Sequence, residues 1–208
     1  MKILICDDHK IVREGLRQIL QQMKEATFIG EASNGLEALA LLKVGTFEVV
    51  LLDISLPDHN GLEILKSVKA KWPETNVLML SMHPQEQYAI RALKLGASGY
   101  LTKDTAAEEL ILAIKKVSSG GKYISQSLAE NLALHFDDGP PAHKHEKLSN
   151  REFEIMIKIA NGKSLQEIGD ELFISIKTVS TYRCRIMNKM ALKKNTDLTR
   201  YCMENSLI

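Results

Sequence analysis

Short apolar runs alternate with helical periodicity through the first 120 residues of the chain. KILIC (residues 2–6) is followed by a helical pattern over 11–20, FIGEA (28–32) by one over 36–42, and VVLLD (49–53) by one over 62–68. NVLMLS (76–81) leads into a pattern over 88–95 and SGYL (98–101) into one over 106–117, so the spacing predicts five strand–helix units. The strands are continuously apolar rather than alternating. That is the pattern of strands buried on both faces, hence of a parallel sheet between two helical layers, a doubly wound α/β fold. In such a sheet the ligand crevice lies at the carboxyl ends of the strands where the strand order reverses.

Beyond residue 118 the pattern changes. SSGGK, a predicted helix over 126–135 and the polar DDGPPAHKHEK with its adjacent prolines read as a linker. Four helical segments then follow, over 150–160, 165–172, 177–190 and 197–205, with no strand signal between them. The predicted organisation is an α/β domain over 1–122, a linker with a helix over 123–147, and a small all-α domain over 148–208. His143 and His145 fall in the linker and read as solvated residues rather than a metal pair. The apolar stripe Leu198, Tyr201, Cys202 and Leu207 of the last segment fits either the domain's own core or a second subunit.

Composition narrows the class. At 45% hydrophobic and 25% charged residues, both halves can bury a core. The net charge of +1 hides an asymmetry: residues 148–208 carry ten Lys and Arg against seven Asp and Glu, leaving −2 for the rest. A mildly basic small domain beside an acidic one is compatible with nucleic-acid binding. Cys6, Cys184 and Cys202 are too few and too scattered for a disulfide framework or a zinc site. MKILICDDHK places carboxylates directly after a short apolar run, unlike a signal peptide, and no apolar run approaches ~18 residues. The expected location is the cytoplasm, with no membrane association.

The strand ends carry the chemistry. Strand one runs into Asp7 and Asp8, and strand three ends in Asp53, so three carboxylates face one crevice. Their mutual repulsion calls for a cation, and Mg²⁺ is the hard, oxygen-seeking ion suited to carboxylates and phosphate together. Ser81 ends strand four and Lys103 follows strand five, adding a hydroxyl and an ammonium at the same edge. An aspartate among such groups is a plausible nucleophile toward phosphorus, because each neighbour offsets charge on a transferring phosphoryl group.

Asp7, Asp8, Asp53, Ser81, Tyr100 and Lys103 together resemble the signature of receiver domains, which have a flavodoxin-like fold. The resemblance implies that Asp53 is the phosphoacceptor, that Asp7, Asp8, Asp53 and the main-chain carbonyl of Ser55 hold Mg²⁺, and that Lys103 contacts the phosphate. It further implies a switch in which Ser81 closes on the phosphate and Tyr100 turns inward behind it. Ser55 and His83 resemble the variable positions that tune phosphate lifetime. Asp104 stands after Lys103 where many receivers have proline.

In the last domain, residues 165–172, then FIS, then 177–190 read as helix, tight turn, helix, with Ser175 placed to cap the second. At about 100° per residue, Val179, Tyr182, Ile186 and Met190 share a packing face, and Lys177, Ser180, Thr181, Cys184 and Asn188 a free polar face. Arg185 flanks the free face and Arg183 borders the buried one. Lys177, Thr178, Ser180, Thr181, Arg183 and Arg185 are the candidate DNA-binding residues. Met79, Met156 and Met190 read as core filling.

The segment resembles the LuxR-type helix-turn-helix domain at Leu148, Arg151, Glu152, Glu154, Gly162, Glu167, Ile168, Leu172, Ser175, Thr178, Val179, Ile186 and Lys189. The whole chain therefore resembles a two-component response regulator of the NarL/FixJ class. Many members of that class carry Lys and His where this chain has Ser180 and Tyr182, so their base-reading code does not carry over. The resemblance implies a sensor histidine kinase, promoter DNA and a second copy of the chain on phosphorylation as partners, with RNA polymerase as a further candidate. The chain is expected to be a phosphoryl acceptor with at most slow self-dephosphorylation rather than an enzyme. Two alternatives are a regulator with a vestigial pocket and a phosphoaspartyl phosphohydrolase. The second wants an acid–base aspartate two residues after the nucleophile, where Ser55 stands.

Overall fold

The computed structural model describes residues 1–82, 86–125, 143–205 and 207–208. The helix expected over 126–135 and the position of His83 lie outside them. The chain forms two compact units, residues 1–136 and 137–208.

The first unit alternates β1 (Lys2–Cys6), α1 (Lys10–Gln21), β2 (Phe28–Ala32), α2 (Gly35–Val44), β3 (Val49–Asp53), α3 (Gly61–Lys71), β4 (Asn76–Ser81), α4 (Glu86–Lys94), β5 (Gly99–Thr102) and α5 (Ala107–Ser118). All strands are parallel in the order β2-β1-β3-β4-β5, which reverses at β1 and β3. Burial follows from position in that order. Every residue of the central β3 is buried, whereas the edge strand β2 exposes Phe28 and Glu31. Ile3, Ile5, Leu51, Leu78 and Leu80 pack on one face of the sheet against Leu20 of α1 and Leu110, Ile114 and Val117 of α5. On the other face α2, α3 and α4 contact one another in sequence.

Residues just past α5 continue the sheet. The amide of Tyr123 donates to Ser98 O (2.9 Å) and its carbonyl accepts from the Tyr100 amide (3.3 Å), forming a parallel bridge opposite Gly99. A Cβ on Gly99 would lie 2.6 Å from the Tyr123 carbonyl oxygen, so the close approach requires glycine there. The Tyr123 hydroxyl donates to Glu109 Oε1 (2.9 Å) and Lys116 lies over its ring.

The second unit begins with a 3₁₀ turn, Lys144–Lys147, followed by α6 (Asn150–Ala160), α7 (Leu165–Glu171), α8 (Ile176–Met190) and α9 (Asn195–Glu204). Serines start three of these helices. Ser149 and Ser164 form reciprocal capping boxes with Glu152 and Glu167, and Ser175 accepts from the Thr178 amide. Phe153, Ile155, Met156, Ile168, Val179, Ile186 and Met190 are fully buried. Leu198, Cys202 and Leu207 are buried within the same unit, which decides for the core.

His145 differs from the sequence expectation. It is 1% exposed and its Nδ1 lies 3.0 Å from the Tyr201 hydroxyl, with Phe153 beside the ring. The turn expected to be solvated linker thus puts a side chain into the C-terminal core. Its neighbours in sequence are polar, so no pattern announces the one imidazole that turns inward. No described helix is long and apolar enough to cross a membrane.

Because the two units have separate cores, damage to one is expected to stay there. Phe153→Ala should destabilise the C-terminal unit by about 3–5 kcal/mol and leave the receiver-like unit's melting unchanged, as read by scanning calorimetry of the full chain.

Candidate functional site

The register of the sheet assembles the acidic pocket. Cys6 lies opposite Leu52 and Asp53 opposite Leu80, so Asp7, Asp53 and Ser81 emerge side by side at the carboxyl edge. Lys103 is held there by its amide, which donates to Ser81 O at 2.8 Å. Asp7, Asp53 and Ser81 are almost wholly buried. The Lys103 ammonium bridges the two carboxylates, 2.6 Å from Asp7 Oδ2 and 2.7 Å from Asp53 Oδ2.

One ammonium does not balance this cluster. Burial pushes Asp53 up to about 6, and Asp7 pushes it the same way against the pull of Lys103. Burial opposes the charge of Lys103, but Asp53 and Asp7 outweigh it and raise its pKa. Ligand atoms of Asp7, Asp8, His9 and Asp53 all lie within 4.8 Å of one another. Asp7 Oδ2 and Asp8 Oδ1 are buried and lack a hydrogen bond of good geometry, although Lys103 and His9 Nδ1 (2.8 Å from Asp8) stand close. Three carboxylates whose oxygens lie this close together, with one ammonium among them, form an oxygen-rich donor set that fits Mg²⁺. The carboxylates of Asp7, Asp8 and Asp53 are its natural ligands. His9 is a softer donor, placed to pair with the carboxylates instead.

The remaining expected residues are also brought to this edge. The Ser55 amide donates to the Asp53 carboxylate, while its side chain is exposed. Tyr100 is buried, points inward already, and shares a hydrogen bond with Ser81. Burial, with the Asp53 charge nearby, pushes its hydroxyl up to about 12. The Lys103–Asp104 peptide is trans.

Three supports escaped the sequence reading. Arg13 on α1 reaches back to donate from one nitrogen to the carbonyls of Asp7 (2.7 Å) and Asp8 (3.2 Å), fixing the loop that carries both acids. Asp58 accepts from the amides of Gly35 (2.9 Å) and Leu36 (2.8 Å), tying the β3–α3 loop to the start of α2. Gly61 donates to Ile54 O at 2.8 Å, and a Cβ there would lie 2.0 Å from the Asp53 carbonyl oxygen. His9, beside the acids, was also passed over, although its position directly after two aspartates was a visible signal.

In the second unit α7 and α8 form the helix-turn-helix. Arg151 of α6 pairs with Glu154 (2.9 Å) on its own helix and donates to Leu172 O (3.1 Å) at the end of α7, joining α6 to the helix-turn-helix. Lys177, Thr181, Cys184, Arg185 and Asn188 are exposed along α8, and Thr178, Ser180, Tyr182 and Arg183 are half-buried. Met187, absent from the expected packing face, is buried beside Ile186.

Comparison with known proteins gives the family of both domains. The response regulator receiver domain profile matches residues 3–115, and the profile of bacterial regulatory proteins of the luxR family matches residues 146–202. The chain belongs to the two-component response regulators of the NarL/FixJ class. It is 33% identical over 208 residues to the response regulator UvrY of Escherichia coli K12, covering all of this chain and 95% of that one. A structure of two RcsB dimers bound to two parallel DNAs aligns with a TM-score of 0.61 at 26% identity, covering 98% of each chain. RcsB of Salmonella enterica serovar Typhimurium, bound to a promoter in the presence of the phosphomimetic BeF₃⁻, aligns with a TM-score of 0.60 at 26% identity over 97% of each chain. This regulator therefore carries a receiver with its acidic cluster intact and a LuxR-type DNA-binding domain.

The raised Asp53 pKa makes a signed prediction. Between pH 3.8 and about 6 the folded chain keeps a proton that the unfolded chain releases, so this group's stability contribution is full below that window and lost as pH rises through it. In EDTA, Asp53→Asn should raise stability at about pH 7.5 by on the order of 1–3 kcal/mol, with the difference vanishing near pH 4. Thermal melts at the two pH values test it.

Proposed function

We propose that this response regulator is a transcription factor controlled by phosphorylation of Asp53, with a sensor histidine kinase as donor and promoter DNA as target. The observation that carries the reading is a buried carboxylate at the reversal point of the sheet, with Asp7 and Lys103 in reach, on the same chain as a LuxR-type domain. Mg²⁺, held by Asp7, Asp8, Asp53 and the Ser55 carbonyl, would offset charge on the phosphoryl oxygens.

Transfer forms an O–P bond at an Asp53 carboxylate oxygen and breaks the P–N bond of a phosphohistidine. The donor imidazole leaves with the electron pair and takes up a proton. Lys103, already 2.7 Å from Asp53, then has a phosphoryl oxygen as its closest partner. The Ser81 hydroxyl, which shares a hydrogen bond with Tyr100, is the group that answers the new acceptor oxygens. A change at Ser81 is a change at Tyr100, and through it at β5.

The reading extends to dimerisation on phosphorylation. It draws support from RcsB, a relative with structures as DNA-bound dimers and, on a promoter, with a phosphomimetic. Two short helix-turn-helix units reading two half-sites gain affinity that one lacks. RNA polymerase is a further partner, and the cytoplasm is where promoter DNA is met. Asp53 acts once per phosphoryl group, with self-dephosphorylation as its slow reverse, and Ser55 supplies no acid–base group for enzymatic turnover.

The test treats wild type and Asp53→Ala with a small phosphodonor and Mg²⁺. Wild type should gain the mass of one phosphoryl group, sediment as a dimer and retard promoter fragments at least tenfold more tightly, and the variant should do none of these. Equal responses would remove phosphate control. Sustained turnover of a generic phosphate ester would replace it with the hydrolase.

A further inference from the structure

Three cations of α8 are not equivalent. Lys189 Nζ lies 2.6 Å from Glu152 Oε2, the carboxylate that also caps α6, so its charge is answered within the fold. Arg183 donates from Nε to Asn195 Oδ1 at 2.7 Å, linking α8 to the first residue of α9. Arg185 instead lies over the ring of Tyr182, one turn earlier, with its guanidinium carbon 5.8 Å from the ring centroid. Tyr182 is half-buried and Arg185 exposed.

That difference in partner has a chemical consequence. A carboxylate or amide partner uses up guanidinium N–H donors, whereas an aromatic ring engages the flat face and leaves the donors around the edge unused. An arginine resting over a ring, unlike one bound to a carboxylate or amide, keeps its hydrogen-bonding fork available to a phosphate or to the edge of a guanine. The i, i+3 spacing of the two residues suits the contact on any helix.

We propose that Tyr182 is a positioning residue for DNA recognition, presenting the Arg185 guanidinium to the duplex, while Arg183 and Lys189 brace α8 against α9 and α6. The inference rests on the reading that the exposed face of α8 meets DNA. It assigns a task to the tyrosine that stands where many members of the class carry histidine. The ring face does the positioning, so the tyrosine hydroxyl is dispensable.

The test is binding of the full chain to a short labelled duplex of arbitrary sequence, followed by anisotropy across a salt series, with and without a small phosphodonor. Arg185→Ala should weaken binding about three- to tenfold and lower the salt slope by about one. Tyr182→Ala keeps the charge, yet should reproduce most of that loss, while Tyr182→Phe should match wild type. The double variant should be no weaker than Arg185→Ala. A Tyr182→Ala defect that persists undiminished without Arg185 is structural damage and overturns the proposal, as does Tyr182→Phe binding as weakly as Tyr182→Ala, or Tyr182→Ala binding like wild type. If Arg185→Ala changes neither affinity nor salt slope, the assignment of this face to DNA fails with it. Phosphate control of the receiver stands or falls separately, on the Asp53 comparison.

Discussion

The structure of the receiver is organised around an electrostatic imbalance: Asp7 and Asp53, both buried, share the one ammonium of Lys103. A parallel sheet has no means of avoiding this once its strands end in acids, because the register sets the carboxyl ends side by side. What surrounds the cluster keeps it from relaxing. Arg13 pins the carbonyls behind Asp7 and Asp8, Asp58 anchors the β3–α3 loop to α2, and Gly61 lets that loop fold back within contact of Asp53. The result is a cluster held in place by main-chain contacts, with more negative than positive charge.

How much of this was legible follows from what a sequence pattern records. Apolar periodicity reports which side chains avoid water, and β1 to β4 fall where the apolar runs lie, with β5 displaced by one residue. Residue types at strand ends report a crevice, and so Asp7, Asp8, Asp53, Ser81 and Lys103 could be named together, with Tyr100 added by the resemblance to receiver domains. Arg13 and Asp58 could not. Each acts by bonding to main-chain atoms of another element, and a carbonyl or amide leaves no trace in the identity of its residue. Gly61 is similarly silent, since its importance is the absence of a side chain at one point of close approach. His145 was misread because burial of a single polar residue in a polar stretch breaks the rule that composition follows.

The C-terminal domain has the opposite character. Several of its charges are paired within the fold, and those pairs serve geometry. Arg151 with Glu154 and the Leu172 carbonyl joins α6 to the end of α7, and Lys189 with Glu152 joins α8 to α6. Serine caps define where three of the four helices begin. The residues by which this chain resembles the LuxR-type domains are largely these joints and caps. Apart from Lys189, the exposed α8 side chains carry no such joint or cap among the described residues, so the fold was legible while the operator was not.

The bridge at Tyr123 bears on the chain's mechanics. Its two main-chain hydrogen bonds fall on either side of Gly99, and one of them ends on the amide of Tyr100 itself. The peptide leaving the receiver is consequently hitched to the backbone of the residue whose side chain touches Ser81. Since these are backbone bonds, the hitch does not depend on which side chain occupies position 123. Any displacement of β5 at Tyr100 is therefore also a displacement of Tyr123, a coupling that runs through main-chain bonds and begins inside the sheet.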